Sequence, residues 1–172
     1  MIGAGVTKPD QSVSPVRDAT RTLVKEMIWT SPLRPRRRRG DRRDIAIFAS
    51  RRSGSTLLMQ ALSADGRTAF SDQPFGIYTA TRANINRLPV FPYGQIVSPD
   101  PSELDMIETY VEDILSGRHF SNGPWQFWTR SYPYRFDRMI LKVTDAKTVA
   151  ALLAYRFDLH PVAMFRHPAS QA

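Results

Sequence analysis

Residues 44–58 read Asp-Ile-Ala-Ile-Phe-Ala-Ser-Arg-Arg-Ser-Gly-Ser-Thr-Leu-Leu, and few local structures accommodate that order. Ile45 to Ala49 is an unbroken apolar run, the pattern of a parallel strand buried on both faces. It gives way at once to small and polar residues. Ser50, Ser53, Gly54, Ser55 and Thr56 then lead into Leu57, Leu58, Met59, Ala61 and Leu62, whose spacing suits a helix facing a core. The stretch is therefore expected to be a strand, a tight loop and a helix N-terminus.

A junction of this kind attracts anions. The first N–H groups of a helix have no intrahelical partner, and the helix dipole places positive potential there. Gly54 permits close backbone approach, Ser55 and Thr56 add hydroxyl donors, and Arg52 adds a planar, permanently charged fork. A pair of surface arginines is the plainer reading of Arg51 and Arg52, but the small donors beside them favour binding. The loop is not a Walker A sequence, because it has one glycine and no lysine, which disfavours generic NTPase chemistry.

A chain of 172 residues suits one domain with a real core. Its net charge of +8 is concentrated: Arg34 to Asp44 holds seven arginines against two aspartates, which accounts for +5 of the total. Residues 31–43 are thus expected to be a solvated basic linker that ends a flexible basic tail, 1–43. A nucleic-acid or acidic-membrane patch, or a device that concentrates an anionic cofactor, is the alternative. Arginines without interleaved aromatics give electrostatic attachment rather than sequence readout, so nucleic acid is an unfavoured partner. There is no cysteine, hence no disulfide, thiolate nucleophile or cysteine zinc site. No run of 18 apolar residues is present, so a membrane span and a secretory signal are not expected, and a cytoplasmic location is.

Within the tail, residues 1–15 lack periodicity, and Leu23, Val24, Met27 and Ile28 suggest a short amphipathic helix over 16–29. Beyond the loop, the helix runs from Thr56 to Ser63 and stops at Ala64-Asp65-Gly66. A second strand is read at Thr68 to Phe70, leaving Ser71 to Pro74 at a strand end, where α/β sheets place ligands. Residues 77–96 read as an irregular insertion. Ser102 is expected to cap a helix that buries Leu104, Ile107, Val111, Ile114 and Leu115. Residues 120–136 are rich in aromatics and read as a packed loop or an apolar wall. A strand at Met139 to Val143, a helix at Asp145 to Phe157 and a strand at Val162 to Phe165 follow, with His160-Pro161 as the turn before the last strand. Alternating strands and helices predict a parallel α/β sheet.

Ser50 to Leu58 resembles the 5′-phosphosulfate loop of the sulfotransferases, enzymes that use 3′-phosphoadenosine 5′-phosphosulfate (PAPS). Met139 to Lys142 and Pro161 to Pro168 are similar to later strands of that family, the second of which carries the arginine that holds the 3′-phosphate. The resemblance extends from Asp44 to the C-terminus, with its middle third poorly matched. It implies a three-layer α/β fold of the P-loop NTPase-like type over 44–172 and transfer of a sulfuryl group to an acceptor hydroxyl, without a metal. By the same resemblance Arg51, Arg52, Ser53, Gly54, Ser55, Thr56 and Arg166 would bind PAPS, with Arg52 also stabilising charge on the bridging oxygen. A strand-end salt bridge is the plainer reading of Arg166.

Departures from the family pattern are equally specific. Counting from Arg52 without gaps, the glutamate that serves as base in the tyrosylprotein enzymes falls on Gln73, which cannot take a proton. The histidine that cytosolic members place after a strand lysine is absent from Lys142-Val143-Thr144-Asp145. Asp72 is the first candidate base and Asp145 the second, with a turn or cap as the plainer role of each. His119, His160 and His167 are scattered and suggest no metal site. The serine that completes the family's 3′-phosphate site would fall past Ala172, and Ser170 is too early, so a C-terminally truncated fragment is expected. A catalytically incomplete PAPS- or nucleotide-binding remnant and a basic nucleic-acid-associated protein are the alternatives.

Overall fold

The computed structural model describes residues 20, 23–24, 27–28, 31–32, 34–38, 40–75, 88, 99–119, 133–144 and 149–165. Expectations for the tail at 1–15, the insertion at 77–96 apart from Leu88, the aromatic segment at 120–132, Asp145 and Arg166 lie outside these residues. Two units are distinguished, Met1–Arg34 and Pro35–Ala172. In the first, Thr20, Leu23, Val24, Met27 and Ile28 are helical.

The second unit is an α/β structure around four parallel strands. The elements in chain order are β1 (Arg36–Arg37), β2 (Ile45–Ala49), α1 (Ser55–Ser63), β3 (Thr68–Asp72) and α2 (Pro101–Leu115). β4 (Arg135–Phe136), β5 (Arg138–Val143), α3 (Ala150–Arg156) and β6 (His160–Met164) complete them. The main sheet has the order β3-β5-β2-β6, while β1 and β4 form a separate parallel pair.

Alternation along the strands sends successive side chains to opposite faces. Ile45, Ile47 and Ala49 of β2 and Ile140 of β5 meet Met59 of α1 on one face. Ala46 and the β5 residues Met139, Leu141 and Val143 meet Ile107, Tyr110, Val111 and Ile114 of α2 and Leu153 of α3 on the other. Helices thus cover both faces, which is compatible with three layers. The doubly buried strand expected at Ile45 to Ala49 has these bounds, because both its faces carry apolar side chains.

Several expectations shift. The cap of α2 is Asp100, not Ser102: Asp100 Oδ1 accepts the Glu103 N–H at 2.9 Å, and Glu103 Oε2 accepts the Asp100 N–H at 3.0 Å. That reciprocal pair satisfies two exposed donors, and Pro101 in the first turn needs none. Tyr110 joins the buried face, donating its hydroxyl to the Pro74 carbonyl at 2.8 Å, while Leu104 is only half-buried. β6 starts at His160 rather than Val162. The His160 N–H bonds Asp44 O at 2.7 Å, and alternation turns Pro161, which has no donor, toward the outer edge. β3 continues to Asp72 because Ser71 and Asp72 pair with Leu141 and Lys142.

The solvated-linker expectation for residues 31–43 also changes. Arg36–Arg37 pair with β4, the Arg37 guanidinium grips Asp44, and Arg42 and Arg43 pair with aspartates of the domain. A sequence of arginines shows its charge but not the aspartates that chain reversal will bring beside it.

Candidate functional site

Strands β2 and β5 are neighbours, yet the chain leaves them in opposite senses. From β2 it passes through α1, on one face, to β3; from β5 it passes through α3, on the other face, to β6. Such a divergence opens a crevice at the carboxyl ends of the two strands, where α/β proteins bind ligands. A cleft of about 330 Å³ lies at this place, lined by Arg51, Arg52, Gly54, Ser55, Thr56, Gln73, Lys142 and Thr144.

One wall is the loop between β2 and α1. Its backbone turns sharply: the Ser53 N–H bonds Ser50 O at 3.3 Å, and Arg52 and Gly54 adopt left-handed conformations with φ of 63° and 86°. Left-handed residues alternating with ordinary ones direct backbone N–H groups toward a common concavity, an arrangement that suits anions. Gly54 is the N-cap of α1 and offers no side-chain cap. The Leu57 and Leu58 N–H groups bond Gly54 O at 3.0 and 3.3 Å, so those of Ser55 and Thr56 precede the first bond of the helix. The Ser53 hydroxyl oxygen is buried with no hydrogen-bond partner among the described residues. A buried unsatisfied hydroxyl in a donor-rich loop fits a ligand-binding role.

The floor comes from β5 and β3. Lys142 is almost wholly buried, its side chain 3% exposed, and its ammonium donates to Thr56 Oγ1 at 2.8 Å. Because that oxygen accepts from Lys142, the Thr56 O–H can donate into the cleft. Asp72 sits directly across the strand pair from Lys142, with Oδ1 2.6 Å from Nζ. This contact lies within ion-pair distance, yet among the described residues Oδ1 has no partner in hydrogen-bonding geometry, so its attraction to Lys142 is Coulombic rather than directional. Gln73 follows with φ of 52°, its N–H on the Lys142 carbonyl at 2.9 Å. Of the three non-glycine residues with positive φ among the described residues, two, Arg52 and Gln73, line one cleft, and such strain concentrates at ligand sites.

Of the residues singled out from sequence, the fold brings Arg51, Arg52, Gly54, Ser55 and Thr56 to the cleft. Ser53 belongs to the same loop, and Asp72 reaches the site through Lys142. Sequence reading did not assign Lys142, Gln73 or Thr144 to the site. The signal for Lys142 is a lone charge near the end of an apolar strand, whereas Arg166 rests on the family resemblance.

No group of three or more His, Asp or Glu residues that could hold a metal occurs among the described residues. No described helix is long and apolar enough to cross a membrane. Comparison with protein-family models, with curated proteins and with solved structures finds no match to this chain.

Proposed function

We propose that this chain is a sulfotransferase-type domain that binds PAPS and directs its sulfuryl group to an acceptor hydroxyl. The observation that carries the reading is the cleft itself: one helix N-terminus, two arginines and one buried lysine converge where the strand connections diverge. The P-loop NTPase-like form of the α/β fold belongs to the same proposal. Its support is a loop that passes straight from a central strand into α1.

The donor set fits a tetrahedral anion. Backbone N–H groups at Gly54 to Thr56, the Ser53, Ser55 and Thr56 hydroxyls, and the charges of Arg51, Arg52 and Lys142 would hold the phosphosulfate end. The volume, at the low end of small-ligand cavities, matches that end better than a whole nucleotide. For the 3′-phosphate the proposed ligand is Arg166; β6 ends beside Ser50, whose N–H bonds Met164 O at 3.4 Å, two positions before it in sequence. PAPS, when bound, supplies the activated sulfuryl group with the 5′-phosphate as leaving group. Arg52 would stabilise charge there by position and electrostatics alone, and Asp72 is the proposed base, with Asp145 second.

The pairing of Arg37, Arg42 and Arg43 with aspartates weakens the nucleic-acid alternative, since it occupies charge that phosphates would need. The engagement of Asp72 with Lys142 keeps the non-catalytic binding remnant as the second reading. Calorimetric titration with adenosine 3′,5′-bisphosphate tests the site: binding is expected, weakened about 30-fold in Arg52→Ala by loss of a charge-assisted contact. No binding at millimolar ligand refutes the proposal. Sulfuryl transfer to a panel of hydroxyl acceptors separates an enzyme from a remnant.

A further inference from the structure

We propose that Lys142 and Asp72 form an exchangeable pair, in which an incoming phosphate- or sulfate-type anion takes the Lys142 ammonium away from Asp72. The inference rests on the anion-binding reading of the cleft and adds how that site is held before its ligand arrives.

The strand register creates the pair. Asp72 and Lys142 are opposed in the β3–β5 ladder, at the carboxyl ends of their strands and on the face that carries α1. Burial makes the partners unequal: the Lys142 side chain is 3% exposed and that of Asp72 is 32% exposed. The Asp72 side chain as a whole is a third exposed, so its carboxylate can turn toward solvent when released, although the Oδ1 that faces Lys142 is itself buried. Lys142 cannot reach water in the same way, and a buried ammonium needs a negative partner. The pair can therefore open at low cost only when another anion stands beside Lys142. The cleft supplies that place, because Lys142 and Thr56 both line it.

Geometry favours the exchange. The 2.6 Å contact to Asp72 lacks hydrogen-bonding alignment, whereas the 2.8 Å bond to Thr56 Oγ1 has it. Thr56 thus holds the ammonium at the mouth of α1 while its ionic partner changes. A tetrahedral anion there meets Arg51, Arg52 and the helix N-terminus as well as Lys142, where Asp72 offers a carboxylate alone. Asp72 is consequently both counter-ion and competitor. Its release from Lys142 accompanies anion binding, so its carboxylate becomes available to a second ligand only once the first is in place.

Inorganic sulfate and adenosine 3′,5′-bisphosphate are the probes, titrated calorimetrically into the full chain. Asp72→Asn is expected to bind both about tenfold tighter than wild type, since a competing like charge beside the anion is removed. Lys142→Met is expected to bind both at least about tenfold more weakly, and to abolish the Asp72→Asn gain when the two are combined. Unchanged or weaker binding by Asp72→Asn, with wild-type binding intact and sensitive to Arg52→Ala, overturns the exchange and leaves the site reading standing. Absence of anion binding by the wild type overturns both. A wild-type measurement guards against a misfolded variant: the Asp72 carboxyl carbon resonance should move on sulfate addition, and an unmoved resonance at saturation refutes the exchange.

Discussion

At the amino ends of the strands Asp44 accepts two bonds from Arg37, at 2.7 and 3.1 Å, and one from the Met139 N–H at 2.7 Å; at the carboxyl ends Lys142 faces Asp72 through a contact that is close but unaligned. The amino end continues this closure. Asp137, 4% exposed, is held by Arg42 and Arg67, and Asp65 by Arg42, Thr68 and the Arg67 N–H. Arginine is abundant at both ends, and at the amino end Asp44, Asp65 and Asp137 accept aligned hydrogen bonds from it. The cleft gathers Arg51, Arg52 and Lys142, and there Lys142 faces Asp72 at 2.6 Å without hydrogen-bonding alignment. Charge fixed by aligned partners stabilises a fold, whereas charge held by an exchangeable partner suits an anionic ligand.

Breaking the closed end should give the largest change. Asp44→Ala leaves the Met139 N–H without its acceptor and Arg37 without its counter-ion, and about 3 kcal/mol of stability should be lost. Urea unfolding measures it. A loss below about 1 kcal/mol would mean that the amino-end pairs behave as ordinary surface ion pairs, and the contrast between the two ends would disappear.

Two glycines sharpen the comparison at intermediate size. A Cβ on Gly40 would stand 2.9 Å from the Asp137 Cβ, so Gly40→Ala must push a gripped, buried aspartate and should cost about 2 kcal/mol. Gly54 has open space around it, and its cost is conformational: with φ at 86°, Gly54→Ala should lose about 1 kcal/mol. The readouts should separate. Gly54→Ala is expected to weaken adenosine 3′,5′-bisphosphate binding about tenfold or more, because the loop N–H groups move, while Gly40→Ala leaves it within about twofold. Equal binding losses in both variants would show that the cleft responds to global stability rather than to its own loop.

How far the sequence discloses this molecule follows the range of each signal. Ile45 to Ala49 declares a buried strand because five apolar residues are a local pattern, and Thr56 to Ser63 declares a helix by its period, one residue short of its observed start at Ser55. The loop between them is legible for the same reason. Lys142 was visible as a charge at a strand end, but its place beside Thr56 and Asp72 depends on β5 lying between β2 and β3, an order no local pattern carries. Ser102 outranked Asp100 as a cap because both are good cap residues, and only the reciprocal bonds with Glu103 decide between them. The arginines of 36–43 looked like a solvated run because Asp65, Asp137 and Asp158 are distant in sequence.

The smallest expected effect tests the closed end by pH. Burial raises the proton affinity of Asp65, but the Arg42 hydrogen bond, the Arg67 N–H, the Thr68 hydroxyl and the Arg42 charge together outweigh it and hold the carboxyl at about 2, below its ordinary 3.8. A depressed folded-state value means that the stabilisation is fully present above pH 3.8 and is lost as pH falls toward about 2. Its side chain is a third exposed, so solvent screening should keep the contribution below about 1 kcal/mol. Wild type should therefore lose slightly more stability than Asp65→Asn between pH 4 and pH 2, by thermal unfolding at low salt, and the gap should narrow as salt is raised. An identical acid response in the two proteins would place the grip on Asp65 at the level of a loose surface contact, leaving Asp44 and Asp137 as the carboxylates that close this end of the sheet.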